Sequence, residues 1–472
     1  MSQHPVPRLE SSLIAPTSGG VRSAHDAANR AARAFWSWSK TGDAERVDLL
    51  RAMADGLQKG RRDLIEIAAD EVGAAPQWTG FNIEIAKATL RQACDLIPLL
   101  ADQTVAHEGG RQSIIRRQSV GVVLGFVPWN APVALATRSL AAPIACGNTV
   151  VLKASETCPQ THKMVVDLFA QAGLPTDVAT VVTNEPEESL EVARALIQHP
   201  SVRRINFTGS TRVGQIIALE AAQSMKRCLL ELSGKASLIV LEDADIDAAA
   251  AAAMAGAFFN QGQVCMSTER VIVLDSIADA FVDALVAKTS KLRAGDPKHE
   301  KAALGRLINA EAAQRVAGLV EDAVAKGAIL RLGGEVQGEV MQPAVVDHIT
   351  PRMRIYREES FGPVASIIRV RDEEAAISVA NDTDFGLAGA IFGKDVDRCM
   401  ALAERMETGI CQINGPTVFD DPSMPFGGMK SSGYGRFGGA AALDEFTEIR
   451  WLSQHNALTA AQIEEMLDLG RT

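Results

Sequence analysis

Cys265 and Glu231 are the side chains of this 472-residue chain best suited to covalent chemistry. Cys265 closes the run Asn260-Gln261-Gly262-Gln263-Val264-Cys265, which follows an alanine-rich segment, and Glu231 opens Glu231-Leu232-Ser233-Gly234-Lys235, thirty-four residues upstream. A thiol attacks electrophilic carbon and a carboxylate takes up a proton, so the two form a candidate nucleophile and base on separate elements. A cysteine alone would mean little, because free cysteines are among the most buried residues and mostly fill cores. The flanking residues point the other way. Gly262 and Gln263 break an apolar helix just before the thiol, which presents a side chain on a loop instead of burying it.

Three further segments have residue types that suit a bound nucleotide or a developing negative charge. Phe207-Thr208-Gly209-Ser210-Thr211-Arg212-Val213-Gly214 follows an expected strand and opens an expected helix, so its free N–H groups face whatever lies at the strand end. Its spacing matches neither common phosphate-loop pattern, and a plain turn between strand and helix explains it as well. Lys153 and Glu156 end another strand, where a carboxylate can accept from a ribose hydroxyl; a solvated helix cap is the ordinary alternative. Pro128-Trp129-Asn130 closes the Val120–Val127 run, and the Asn130 amide can donate to an oxyanion or form an Asx turn ahead of Pro132.

The rest of the chain must position these groups. Apolar residues make up 47% and charged residues 22%, an ordinary globular balance for a chain long enough for two or three domains. The net charge of −11 argues against nucleic-acid and anionic-membrane partners and leaves small molecules. Seven scattered cysteines with no CxxC pair suggest neither a disulfide framework nor a metal cage, so no metal is expected. No stretch is long and apolar enough for a membrane span, and the N-terminal residues lack the order of a signal peptide. A cytoplasmic location is the expectation.

Residues 1 to about 20 read as an irregular arm, and 22–58 and 61–72 carry helical periodicity. From 119 onward, β-branched runs (120–127, 149–152, 178–182, 204–207, 228–232) alternate with helices near 160–172, 187–198 and 211–224. That alternation implies a doubly wound α/β fold with a parallel sheet covered on both faces. A second alternation runs from about 233 to 430, with apolar runs at 238–241, 270–273, 365–370 and 389–392 and helices from Ala248, near 277–292 and near 311–326. Residues 101–119 interrupt the first domain as a polar, hairpin-like stretch. Residues 457–472 read as a short amphipathic helix.

The ordered set Pro128-Trp129-Asn130, Lys153-Ala154-Ser155-Glu156, Phe207 to Gly214, Glu231 to Lys235, Gln261 to Cys265, Glu359-Ser360-Phe361-Gly362-Pro363 and Pro425-Phe426-Gly427-Gly428 resembles the aldehyde dehydrogenase superfamily. Met266-Ser267-Thr268-Glu269-Arg270, Asn414 to Val418 and Ser431 to Gly435 resemble more narrowly its vanillin, salicylaldehyde and benzaldehyde dehydrogenase branch. The resemblance implies a Rossmann-type NAD-binding domain (1–100 and 120–232, with 431–448 returning to it) and an α/β catalytic domain (233–430). It also implies an oligomerisation element (101–119 with 449–456), a C-terminal extension (457–472), and a homodimer or homotetramer. One departure stands out: many members carry a glutamate after the arginine corresponding to Arg436, where this chain has Phe437.

By the same resemblance, Cys265 attacks an aldehyde, Asn130 and the Cys265 N–H hold the oxyanion, and Glu231 activates water to hydrolyse the thioester. Trp129, Lys153, Glu156, Gly209, Ser210, Glu359 and Phe361 would hold NAD. Glu156 disfavours the 2′-phosphate of NADP, although Lys153 can still attract it. Trp78, Ala131, Ala134, Arg138, Val264, Met266, Phe419 and Phe426 would line the substrate tunnel. The small Ala131 and Ala134 leave room for a ring, Trp78, Phe419 and Phe426 can stack on it, and Arg138 can meet a ring oxygen. The expected reaction is oxidation of an aromatic aldehyde to its acid. The competing readings are an aliphatic or semialdehyde dehydrogenase, a CoA-acylating dehydrogenase, a cysteine esterase, and a non-catalytic binding protein on the same fold.

Overall fold

The computed structural model describes residues 19–107, 111–455 and 459–468. The arm expected over residues 1 to about 20 lies almost wholly outside these. A six-stranded sheet runs Gly433–Tyr434, Arg227–Glu231, Val202–Thr208, Val122–Phe126, Thr149–Lys153, Ala179–Val182, all parallel except the Gly433–Tyr434 edge. The chain starts this sheet at its centre, with Val122–Phe126, builds to one side, then crosses back to the other. The strand order therefore reverses beside Val122–Phe126, and a crevice opens at the strands' carboxyl ends.

A seven-stranded sheet runs Ile329–Leu332, Ala344–Asp347, Val364–Val370, Thr268–Leu274, Ala236–Val240, Ala388–Phe392, Ile410–Ile413, antiparallel only at its first pair. Its inner strands are buried on both faces, which is why they read as continuous apolar runs instead of alternating ones. Some helices start at side-chain caps. Ser210 accepts from the Val213 N–H and Asp245 from the Ala248 N–H, opening Thr211–Ala222 and Ile246–Phe258.

The 101–119 stretch forms the strands Gln103–Ala106 and Gln112–Ser119, and the second pairs along its whole length with Thr447–Gln454. Val105, Ile115, Ile449 and Trp451 are exposed on this three-stranded sheet. The C-terminal helix spans Ala460–Asp468.

Several expectations need correction. The periodicity over 22–58 belongs to two helices, Gly20–Trp38 and Asp43–Lys59, because the chain turns at 39–42 and Gly42 is extended. The helices Pro76–Leu96 and Pro132–Ala145 were not expected. Every residue of Pro132–Ala145 is buried, so it has no polar face to reveal its period. The short strands Ile329–Leu332, Ala344–Asp347 and Ile410–Ile413 also escaped, being four residues each.

Candidate active site

Cys265 lies on the loop after Ile246–Phe258, half-buried. The three residues at the bend, Asn260, Gln261 and Gly262, have φ of 49°, 56° and 71°. Left-handed backbone at two non-glycine residues is strained, and it persists because the surroundings fix it. Asn260 Nδ2 donates to the Asn130 carbonyl at 3.0 Å, Gln261 Nε2 to the Arg306 carbonyl at 3.0 Å, and Ser267 Oγ to the Gly262 carbonyl at 3.0 Å. The bend thereby ends the helix and aims the thiol at the junction of the two large sheets.

Glu231 reaches that junction from the end of Arg227–Glu231. Its carboxylate is buried, and among the described residues neither oxygen has a well-formed hydrogen bond, although the Cys265 thiol and Thr208 face it. Burial pushes its pKa up to about 7, against the opposing pull of the Cys265 thiol, Arg138 and Thr208. Burial likewise pushes the Cys265 thiol well above its usual range, and the Glu231 charge adds to the shift. Near pH 7 the pair thus holds a neutral thiol beside a carboxyl group balanced between its two forms.

Asn130 lies on the loop between the strand Val122–Phe126 and the helix Pro132–Ala145 and is buried. Its Nδ2 donates to the Gln263 carbonyl at 3.0 Å, which orients the amide and leaves its second hydrogen for another acceptor. The Asn130 carbonyl accepts from Trp78 Nε1 at 2.8 Å, so the Asn130 loop, the Cys265 loop and the helix Pro76–Leu96 share one network.

A second network holds the 359–361 segment. The Glu359 carboxylate accepts from the Gly234 N–H at 2.9 Å, and burial together with Glu269 pushes its pKa up to about 7. Glu269 accepts from Lys235 Nζ at 2.8 Å, from the Ser360 N–H and hydroxyl at 3.0 Å, and from the Phe361 N–H at 3.0 Å. Lys235 also donates to the Glu358 carbonyl at 2.6 Å. These bonds set Phe361 edge-on to Trp129, with ring centroids 5.8 Å apart.

The crevice at the strand reversal is a groove of about 450 Å³, with Lys153, Ser155, Glu156, Phe207, Gly209 and Ser210 in its walls. Lys153 is buried and pairs with Glu156 Oε1, which also accepts from Ser189 Oγ at 2.6 Å and Asn184 Nδ2 at 3.0 Å. Burial alone would raise the Glu156 pKa, but Lys153, Ser189 and Asn184 together hold it at about 2. A fixed carboxylate and ammonium in the groove, with the N-terminus of Thr211–Ala222 beside them, fit a ribose and a pyrophosphate. Buried His162, whose pKa burial pushes down to about 3, accepts at Nδ1 from the Ser155 N–H at 3.2 Å and lies within hydrogen-bonding reach of the Pro128 carbonyl. It ties the Lys153 loop to the Asn130 loop.

The expected tunnel residues fall into two groups and one outlier. Trp78, Val264, Met266 and Phe426 are buried in one apolar cluster against which Ala131, Trp129 and Cys265 pack. Ala134 and Arg138 are buried on Pro132–Ala145. Phe419 stands apart, 56% exposed. Sequence reasoning gave no role to Glu269, Lys235, His162 or Asp420. A charged pair, Glu269-Arg270, inside the otherwise apolar strand Thr268–Leu274 was the available signal for the first. Phe437, which stands where many members carry a glutamate, is buried and exchanges backbone hydrogen bonds with Phe426 at 2.7 and 2.9 Å.

Among the described residues no group of three or more His, Cys, Asp or Glu is arranged to hold a metal ion, and no helix is long and apolar enough to cross a membrane. A family model described as the aldehyde dehydrogenase family matches residues 5–452. The vanillin dehydrogenase of Pseudomonas fluorescens is 49% identical over 446 residues, which cover 94% of this chain and 92% of that protein. The crystal structure of a salicylaldehyde dehydrogenase from Pseudomonas putida G7, complexed with salicylaldehyde, superposes with a TM-score of 0.91 at 44% identity over 94% of this chain and 92% of that one. A succinate-semialdehyde dehydrogenase structure from Burkholderia pseudomallei gives 0.89 at 33% identity, covering 93% and 91%.

Proposed function

The chain belongs to the aldehyde dehydrogenase family, and we propose that it oxidises an aromatic aldehyde of the vanillin, salicylaldehyde or benzaldehyde type to the carboxylic acid at Cys265, with NAD preferred over NADP. NAD(P)-dependent aldehyde oxidation is the activity that family membership carries. The aromatic reading draws on relatives named for vanillin and salicylaldehyde. The observation that carries it in this chain is Cys265 packed against the apolar cluster that contains Trp78, Val264, Met266 and Phe426.

The chemistry follows from the residues. Glu231 is the base positioned to relieve the Cys265 thiol of its proton, and the thiolate then attacks the aldehyde carbon to give a thiohemiacetal. The oxyanion accepts from the free N–H of the Asn130 amide and from the Cys265 backbone N–H. A donor of this kind lowers the barrier by about 3 kcal/mol. Nicotinamide, when bound, supplies the hydride acceptor; Trp129, Glu359 and Phe361 are the side chains for that end and Lys153, Glu156, Gly209 and Ser210 for the adenosine and pyrophosphate. Loss of hydride leaves a thioester on Cys265. Glu231 gives up the thiol's proton to solvent and then takes one from water as the water attacks the thioester; the acid departs and the sulfur regains a proton. Residues 1–100, 120–232 and 431–448 would hold the cofactor and 233–430 the catalytic loop, while the exposed apolar side chains of the 101–119 and 449–456 sheet would bury against a second copy.

The test is NADH formation with vanillin, salicylaldehyde, benzaldehyde and hexanal, alongside Cys265→Ala. An aromatic substrate should give the highest kcat/KM and the variant none. Hexanal ahead of all three would sink the aromatic reading, and full activity in the variant would sink the role of Cys265.

A further inference from the structure

Arg138 and Asp420 form an ion pair with only 9% and 10% of their side chains exposed. Arg138 comes from the middle of the wholly buried helix Pro132–Ala145, and Asp420 from the loop that follows strand Ile410–Ile413. The guanidinium carbon also lies over the Phe426 ring, 4.1 Å from its centroid. Two constraints of different kinds, an aromatic face and a carboxylate, thus fix one planar cation. Among the described residues only Nη2 is bonded, to Asp420, so the other N–H groups remain as donors.

The pair is electrically part of the site. Arg138 favours the charged forms of both Cys265 and Glu231, and Asp420 opposes that of Glu231. The groups acting on the thiol and on Glu231 are therefore one cation, Arg138, against the carboxyl groups of Glu231, Glu359 and Asp420. Phe437 and Met424 close the far side of the pair around a cavity of about 20 Å³, room for roughly one water.

We infer that Asp420 is the residue that sets the substrate's charge class: by neutralising Arg138 it makes this end of the site a receptor for an uncharged ring oxygen and bars aldehydes that carry a carboxylate. This rests on the reading of Cys265 as nucleophile and of Arg138 as lining the tunnel. An unpaired guanidinium at this depth would attract a carboxylate strongly. Paired with Asp420, it offers directed N–H groups but no net charge, and a carboxylate substrate would meet Asp420 and Glu231 as like charges. A hydroxyl or ether oxygen on a ring needs only a donor.

The test compares matched substrates that differ in charge: methyl 4-formylbenzoate with 4-carboxybenzaldehyde, and butanal with succinate semialdehyde. Wild type should prefer the neutral member of each pair, and vanillin over benzaldehyde because its ring oxygens meet the Arg138 N–H groups. Asp420→Asn should shift the kcat/KM ratio toward the carboxylate by at least about tenfold in the better-used pair. A second variant, Arg138→Met with Asp420→Leu, replaces the buried pair by apolar side chains and guards against misfolding of the first. It should go on rejecting carboxylates while losing the preference for vanillin over benzaldehyde. An unchanged charge ratio in Asp420→Asn, or a carboxylate gain in the double variant, would overturn the inference. Preference for butanal over every aromatic aldehyde would instead sink the aromatic reading and leave the charge comparison to be decided in the aliphatic pair.

Discussion

Gly234 runs so close under the Cys265 loop that a Cβ placed on it would sit 2.2 Å from the backbone oxygen of Cys265. The same residue donates its N–H to Glu359 at 2.9 Å. One glycine thereby sets the spacing of the proposed nucleophile, the base three residues before it and the 359–361 segment. Gly234→Ala must push the Cys265 loop away, and a displacement of about an ångström at a reacting atom is enough to cost roughly 100-fold. The expected outcome is a fall of that order in kcat/KM with secondary structure retained by circular dichroism. An unaltered rate would mean that the loop yields without consequence.

Glu231→Gln should separate the two halves of the reaction. If the thiol ionises without help, the variant forms up to one equivalent of NADH per site and then stalls as a thioester, because water lacks its base. Rapid-quench kinetics and intact-protein mass measure the burst and the adduct. Steady turnover at the wild-type rate would remove Glu231 from the mechanism.

The pH dependence follows from the same carboxylate. Glu231 acts as a base only when ionised, and its pKa is raised from 4.5 to about 7, so the hydrolytic step should rise with pH through about 7 and then level off. The effect on stability has the opposite sign. A raised folded-state pKa contributes stability that is present below 4.5 and lost as pH climbs through 7. At pH 8 the protein therefore carries the cost of an ionised, buried carboxylate, roughly 3 kcal/mol for a shift of this size. Glu231→Gln should unfold at higher temperature than wild type at pH 8, and the gain should vanish near pH 4. A variant less stable than wild type at pH 8 would contradict the assignment.

Cofactor preference should turn on Glu156. Its carboxylate is held ionised by Lys153, Ser189 and Asn184. Removing the charge in Glu156→Gln keeps the shape but frees Lys153 for a phosphate, so the ratio of kcat/KM for NADP over NAD should rise by at least about tenfold. A ratio that does not move would place the discrimination elsewhere in the groove.

The sequence was most legible where chemistry and backbone demands coincide. Glycines and polar residues around Cys265 announced a loop, and the β-branched runs between helices announced parallel sheets. It was least legible where burial is complete. Pro132–Ala145 carries Arg138 yet has no polar face to betray its period, and the strand Ala344–Asp347 is too short to alternate. Glu269 stood in view as part of a branch motif, but its task depends on Lys235 and on the 360–361 backbone, which only folding brings to it. Asp420 gave no local signal at all, since its meaning comes from Arg138, far away in the chain.

The Gln112–Ser119 strand pairs residue by residue with Thr447–Gln454, and the Gly433–Tyr434 strand borders Arg227–Glu231. On a ribosome, the hairpin would thus emerge long before its partner strand, and the first sheet would wait for almost the entire polypeptide before its edge was covered. Loop closure of this length is slow, and an open edge is sticky in the interval. Synthesis that stops short of residue 447 should leave this protein exposed to aggregation even with every proposed catalytic group already made.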